Sequence, residues 1–181
     1  MSKQPEIKHT QSKPIYKNPL FIIPGIVILA VVLLFVFIQS SKKEGTDTEY
    51  MFKKQGELTF NDSLGNLKTK INIEIANSDF DRQLGLMFRR HMENNDGMLF
   101  IFPNEEMQAF WMRNTFIPLD MIFVNAAKKI VTIHRNTQTL SDQSYPSAAP
   151  ALYVIEVNAG FCSLHNINEG DRINYLQLAE K

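Results

Sequence analysis

Beyond residue 57 hydrophobic and polar positions alternate in short runs, and each run predicts a strand. Leu58 and Phe60 alternate with polar neighbours. Leu67, Thr69, Ile71, Ile73 and Ile75 then alternate with Lys68, Lys70, Asn72 and Glu74, the period of a half-buried strand. Asn61-Asp62-Ser63-Leu64-Gly65-Asn66 supplies turn chemistry between them, so the two runs predict a hairpin. Ser78, with Asp81 three residues on, predicts a helix start near Asp79, with Phe80, Leu84 and Met87 recurring along one face. Asn94-Asn95-Asp96-Gly97 is a turn signal that releases the chain into an apolar strand, Met98–Phe102, broken by Pro103-Asn104. Further strands are predicted at Ala109–Met112 and at Leu119–Val124, where Pro118 stands at a position that tolerates a missing N–H. Others follow at Ile130–Arg135, Ala151–Val157 and Arg172–Leu176, with residues 136–150 as the longest loop and a short helix after Asn158-Ala159-Gly160. Many short strands and one or two short helices predict a mostly β (α+β) domain, a small β-barrel or sandwich.

One run departs from alternation altogether. From Leu20 to Ile38 no residue is charged or strongly polar. At about 1.5 Å per helical residue the run approaches the roughly 30 Å hydrocarbon core of a bilayer, which predicts a transmembrane helix. It exceeds the usual ~7–15-residue apolar region of a cleaved signal and lacks a clear cleavage site, so an uncleaved anchor is expected. The expected organisation is a disordered basic tail (1–18), an anchor (19–39), a polar linker (40–56) and a β-rich domain (57–181). Lys8, Lys13 and Lys17 precede the span and Lys42 and Lys43 follow it, a slight bias. A short basic tail ahead of a first span favours the tail inside and the domain outside the cytoplasmic membrane.

Charge narrows the partners. The chain of 181 residues is neutral overall, but residues 1–44 hold six Lys and two Glu, whereas the remainder holds 13 Lys and Arg against 17 Asp and Glu. A mildly acidic domain without a basic stripe argues against nucleic-acid binding. The single cysteine, Cys162, excludes an internal disulfide framework.

Candidate chemistry lies where apolar runs are interrupted by polar residues: Arg89, Arg113 with Asn114, Asp120 and Glu156. A charge within such a run is costly unless a partner meets it. Asp120 and Glu156 therefore need a cation or several N–H donors, and Arg89 and Arg113 are the evident cations. Two readings stay open: ion pairs that fix strand register, or a polar ligand pocket in which a buried acid gains a raised pKa. Trp111, the only tryptophan, is either core or an aromatic platform beside Arg113, Asn114 and Thr115. Met87, Met92, Met98, Met107, Met112 and Met121 could suggest a thioether copper site, but lack close ligand pairing and read as core filling. Cys162 and His165 lack a third group to make a nucleophile. No metal-ligand spacing or cofactor motif is seen, so no cofactor is expected.

Several of these residues fall in one ordered series: Gly85-Leu86-Met87-Phe88-Arg89, Gly97-Met98-Leu99-Phe100, Phe110-Trp111-Met112, Asn114-Thr115, Pro118-Leu119-Asp120, Glu156, Gly160 and Gly170-Asp171. Over residues 67–175 the chain resembles the family known as domain of unknown function 192. Arg113 stands where many relatives carry Lys, and Cys162 matches no motif of the series. The resemblance implies a compact, mostly β domain behind an export or anchor segment, and it brings no activity. The functional expectation is a membrane-anchored binding or accessory module for a small polar ligand, an envelope glycan or a partner protein. Arg89, Trp111, Arg113, Asn114, Thr115, Asp120 and Glu156 would line its site. The alternative is a hydrolase or lyase acting on an envelope component through Asp120 or Glu156. A purely structural role in an envelope assembly is a third.

Overall fold

The computed structural model describes residues 29–36 and 51–179, which fall in two compact units, 1–48 and 49–181. In the first, residues 29–36 form a helix (α1) with every residue exposed. Among the described residues no helix is long and apolar enough to cross a membrane. The rest of the expected Leu20–Ile38 span, the 1–18 tail and most of the 40–56 linker lie outside the described residues.

The second unit is mostly β. Its elements run β1 (Gly56–Asn61), β2 (Leu67–Ala76), α2 (Asp79–Leu84), β3 (Asp96–Glu106), β4 (Ala109–Phe110), β5 (Leu119–Val124), β6 (Ile130–His134), β7 (Tyr145–Pro146), β8 (Ala151–Asn158), α3 (Phe161–Leu164) and β9 (Arg172–Gln177). Seven strands form one mixed sheet in the order β6-β5-β8-β3-β2-β1-β9, and β4 pairs with β7. The β1–β2 hairpin is tied by Asp62, whose Oδ1 accepts from the N–H groups of Leu64 and Asn66, 2.9 and 2.8 Å away. Strands β2 and β3 are parallel, which requires a crossover; α2 and the loop after it provide one. Ser78 caps α2 by accepting from the Asp81 N–H at 3.1 Å while its hydroxyl donates to Asp81 Oδ2 at 2.5 Å, an N-cap in which the Asp81 carboxylate takes the hydroxyl of Ser78.

The sheet buries both faces. On one, Leu58, Phe60, Ile73, Leu99, Ile122, Ile155 and Ile173 pack with Phe161 and Cys162 of α3. On the other, Met98, Phe100, Met121, Phe123 and Val154 pack under Leu86, Met92, Met112, Ile117 and Tyr145.

The expectation of a closed barrel or a two-sheet sandwich is corrected: the sheet is open. Its edge strands approach at one corner, through a single bridge between Lys129 and Arg172 and bonds such as Ile130 N–H to Asp171 O at 2.8 Å. Away from that corner β9 pairs only with β1. Three local expectations also change. The spacing of Phe80, Leu84 and Met87 does not bury a helix face: Phe80 is 70% exposed and no residue of α2 is buried. Pro103 does not end β3, because the β3–β8 register shifts between Ile101 and Glu106 and no ladder bond is asked of it there. Strand β4 stops at Phe110, and Met112 is buried with its N–H donated to Ser141 O at 3.1 Å.

Candidate functional site

Register places four residues in a row across four strands: Glu74 of β2 faces Met98 of β3, Met98 faces Glu156 of β8, and Glu156 faces Met121 of β5. Directly paired residues project to the same face, so two carboxyls stand on either side of Met98, their Cα atoms about 10 Å apart at ordinary strand spacing. Both are buried. Arg89, from the loop after α2, meets this row. Its Nη1 lies 2.5 Å from Glu74 Oε2, and Glu74 Oε1 also accepts the Lys53 N–H at 2.6 Å. Arg89 also acts on Glu156, where its charge favours the carboxylate. Burial outweighs it and pushes Glu156 up to about 8, since desolvation penalises the ionised form. At neutral pH Glu156 is therefore mostly a neutral acid.

Glu156 is reached from solvent through a small cleft of about 40 Å³, walled by Phe100, Phe110, Trp111, Thr115 and the turn at Gly85–Met87. That volume admits one small group such as a hydroxyl or methyl. Two loops shape the mouth. In the first, Gly85 takes φ 48° and ψ −134°, and a Cβ there would lie 3.2 Å from Phe100 Cζ, so the tight approach requires glycine. In the same loop Phe88 holds φ 66°, unusual for a bulky residue, and its N–H donates to Asn114 O in the second loop at 2.8 Å. Thr115, buried, donates its hydroxyl to Arg113 O at 3.2 Å.

Arg89, Trp111, Thr115 and Glu156 thus come together. Trp111 is 46% exposed at the mouth, and the Arg113 guanidinium lies 4.3 Å from its ring centroid. Arg113 meets no buried acid; its Nε donates to the exposed Asp142 at 2.7 Å. Asn114 is exposed, holds φ 55°, and contributes its backbone carbonyl. Asp120 lies elsewhere. It pairs with Val157, one register step from Glu156, and so projects to the opposite face. There its carboxylate accepts from the N–H groups of Asn136, Gly160 and Cys162 at 2.9, 3.2 and 2.9 Å. Burial and the adjacent Asp120 charge push the Cys162 thiol well up, which makes it a poor nucleophile. Among the described residues, no cluster of His, Cys, Asp and Glu could hold a metal ion. Met92, Met98, Met112 and Met121 are buried in the second core, and Met107 is exposed.

Glu74 is absent from the sequence-based site. It occupies a polar position of an alternating strand, which alternation assigns to solvent. The loop carrying Arg89, folded back over β2, and the backbone at Lys53 close over it.

The family model DUF192, described as "Uncharacterized ACR", matches residues 61–175. No curated protein matches the chain. Among solved structures, a protein of Sinorhizobium meliloti 1021 named provisionally as a transcription regulator is similar at 32% identity and a TM-score of 0.65, over 69% of this chain and 97% of its own. A protein of unknown function from Novosphingobium aromaticivorans DSM 12444 is similar at 33% identity and a TM-score of 0.62, over 65% of this chain and 83% of its own.

Proposed function

The chain belongs to the DUF192 family, and from that premise we propose that its domain is a binding or accessory module whose cleft receives a small polar ligand. The supporting observation is Glu156, a buried acid that forms part of the wall of an aromatic cleft beside the exposed Trp111. A neutral carboxyl offers one donor and one acceptor to a hydroxyl or amide entering the cavity. Ordered aromatic walls around a few polar groups are the usual composition of such sites.

The alternative, a hydrolase or lyase, draws support from the same acid, since a carboxyl raised to about 8 is protonated as a general acid must be. Acid–base cleavage commonly needs a second group on the same side. Asp120 lies on the other face with three N–H donors, and Glu74 is paired with Arg89. Binding is therefore preferred. The test is amide chemical-shift mapping against a panel of small polyols, amides and sugars, with product analysis in parallel. Saturable shifts at Gly85, Trp111 and Thr115 without turnover are expected. Turnover that disappears in Glu156→Gln would replace the module with the enzyme.

The same proposal carries the membrane placement. The uncharged run Leu20–Ile38 would anchor the chain with residues 57–181 outside the cytoplasm. Protease added to intact cells should then digest the domain; digestion only after lysis would reverse the orientation.

A further inference from the structure

The two loops that shape the mouth of the cleft, tied together by the Phe88 N–H bond to Asn114 O, carry two kinds of group that a core does not need. Three aromatic rings stand in solvent: Phe88 at 52% exposure, Trp111 at 46% and Phe116 at 39%. Phe88 holds its ring there on a left-handed backbone, an unfavourable conformation that burial does not compensate. On these loops and the helix before them lie four of the chain's six arginines. Arg82 is in the cleft wall, Arg89 reaches Glu74 and acts on Glu156, Arg113 covers Trp111, and Arg90 lies 5.0 Å from the Phe116 ring. Phe116 directly follows Thr115 of the wall. Arg82, Arg89 and Arg113 each have a carboxylate partner, in Asp79, Glu74 and Asp142. Among the described residues Arg90, exposed, makes no ion pair. Arg90 is thus the one of these four guanidiniums left without a carboxylate.

These groups select among ligands. An amine would meet Arg90, which no carboxylate neutralises, and an acid that is not ionised, so cations are disfavoured. A purely apolar ligand would bury Glu156 and Thr115 against carbon. Exposed rings suit the C–H face of a sugar, an acid in a hydroxyl-sized cavity suits one hydroxyl of it, and a guanidinium suits a carboxylate. Resting on the binding-module reading above, we infer that the ligand is a saccharide that carries a carboxylate. One ring packs on the part of Trp111 that Arg113 leaves exposed, a hydroxyl enters the cleft to meet Glu156, and Arg90 receives the acidic group.

Trp111 is the chain's only tryptophan, so its intrinsic fluorescence reports on this mouth directly. The full-length chain, in detergent, is titrated with galacturonic-acid oligomers and with an N-acetylmuramic-acid disaccharide. Each is paired with its methyl-esterified form, which keeps the rings and removes the charge. Saturable change of Trp111 emission by at least one acid form is expected. Loss of about ten-fold in affinity on esterification or in Arg90→Gln should follow, the weight of one charge-assisted hydrogen bond. Equal binding of acid and ester forms, with Arg90→Gln unchanged, would overturn the charge requirement and leave the binding module standing. Failure of both sugars while an amide or simple polyol still shifts the cleft amides would overturn the saccharide class alone. Failure of every ligand at the cleft would remove the binding reading itself.

Discussion

Asp120 and Glu156 stand one register step apart on paired strands, yet their carboxyls occupy opposite faces of the sheet. Each faces a different environment. Asp120 is fully buried with three backbone donors, which fasten the start of α3 and the chain after β6 to β5. Glu156 faces the cleft and keeps its proton.

Asp120→Ala should destabilise the domain by about 3 kcal/mol, because it strands buried N–H donors rather than removing a balanced pair. Urea denaturation measures this. Asp120→Asn keeps one acceptor oxygen and should cost less. An alanine variant as stable as the parent would show that water replaces the carboxylate.

The raised pKa of Glu156 fixes a sign. Between its ordinary value of 4.5 and about 8, the folded chain holds a proton that the unfolded chain has released. Stability therefore falls as pH rises across this window, by an amount on the order of 5 kcal/mol when fully expressed. Below about 4.5 both states are protonated and no penalty exists. Glu156→Gln should flatten the curve and exceed the parent in stability at pH 8, as melting temperatures across the range would reveal. Parallel curves for the two proteins would place the carboxyl in better contact with Arg89 or water than the cleft suggests.

Gly85→Ala should cost roughly 1–3 kcal/mol, since its backbone lies in a region open essentially to glycine and the new methyl meets Phe100. Trimming Phe100 in the same chain relieves the contact but not the backbone, so only part of the loss should return. Complete recovery would assign the whole effect to the ring.

Cys162 should ignore an aromatic disulfide reagent in the native chain and react stoichiometrically in denaturant. Fast native labelling would mean that α3 opens locally at little cost.

Local pattern alone locates β5, β6, β8 and β9 to within a residue or so of their observed ends: β6 shows in its alternation, whereas β5 and β8, buried on both faces, show as short apolar runs. Strand β7 escapes it: two residues, Tyr145 and Pro146, have no period, and their pairing with β4 depends on contacts thirty-odd residues away. The interruption of apolar runs marks both Asp120 and Glu156 equally well. Which of them faces a cleft depends on what covers each side of the sheet, and the covering loops are long-range neighbours. Asn114 has donors that suit a ligand, but its left-handed backbone puts it to use as the corner of a turn. Glu74 shows the opposite error, a polar residue in a solvent-like position that an arginine from another segment draws inside.

The place of β8 between β3 and β5 has a bearing on how the chain is made. As the chain is delivered N-terminus first, the units β1–β2–β3 and β5–β6 each present a bare strand edge until residues 151–158 arrive. Such edges recruit other chains, and late, long-range pairing prolongs their exposure. A defect in the one strand that carries Glu156 would thus be felt first as aggregation of the newly delivered chain, before any loss of binding.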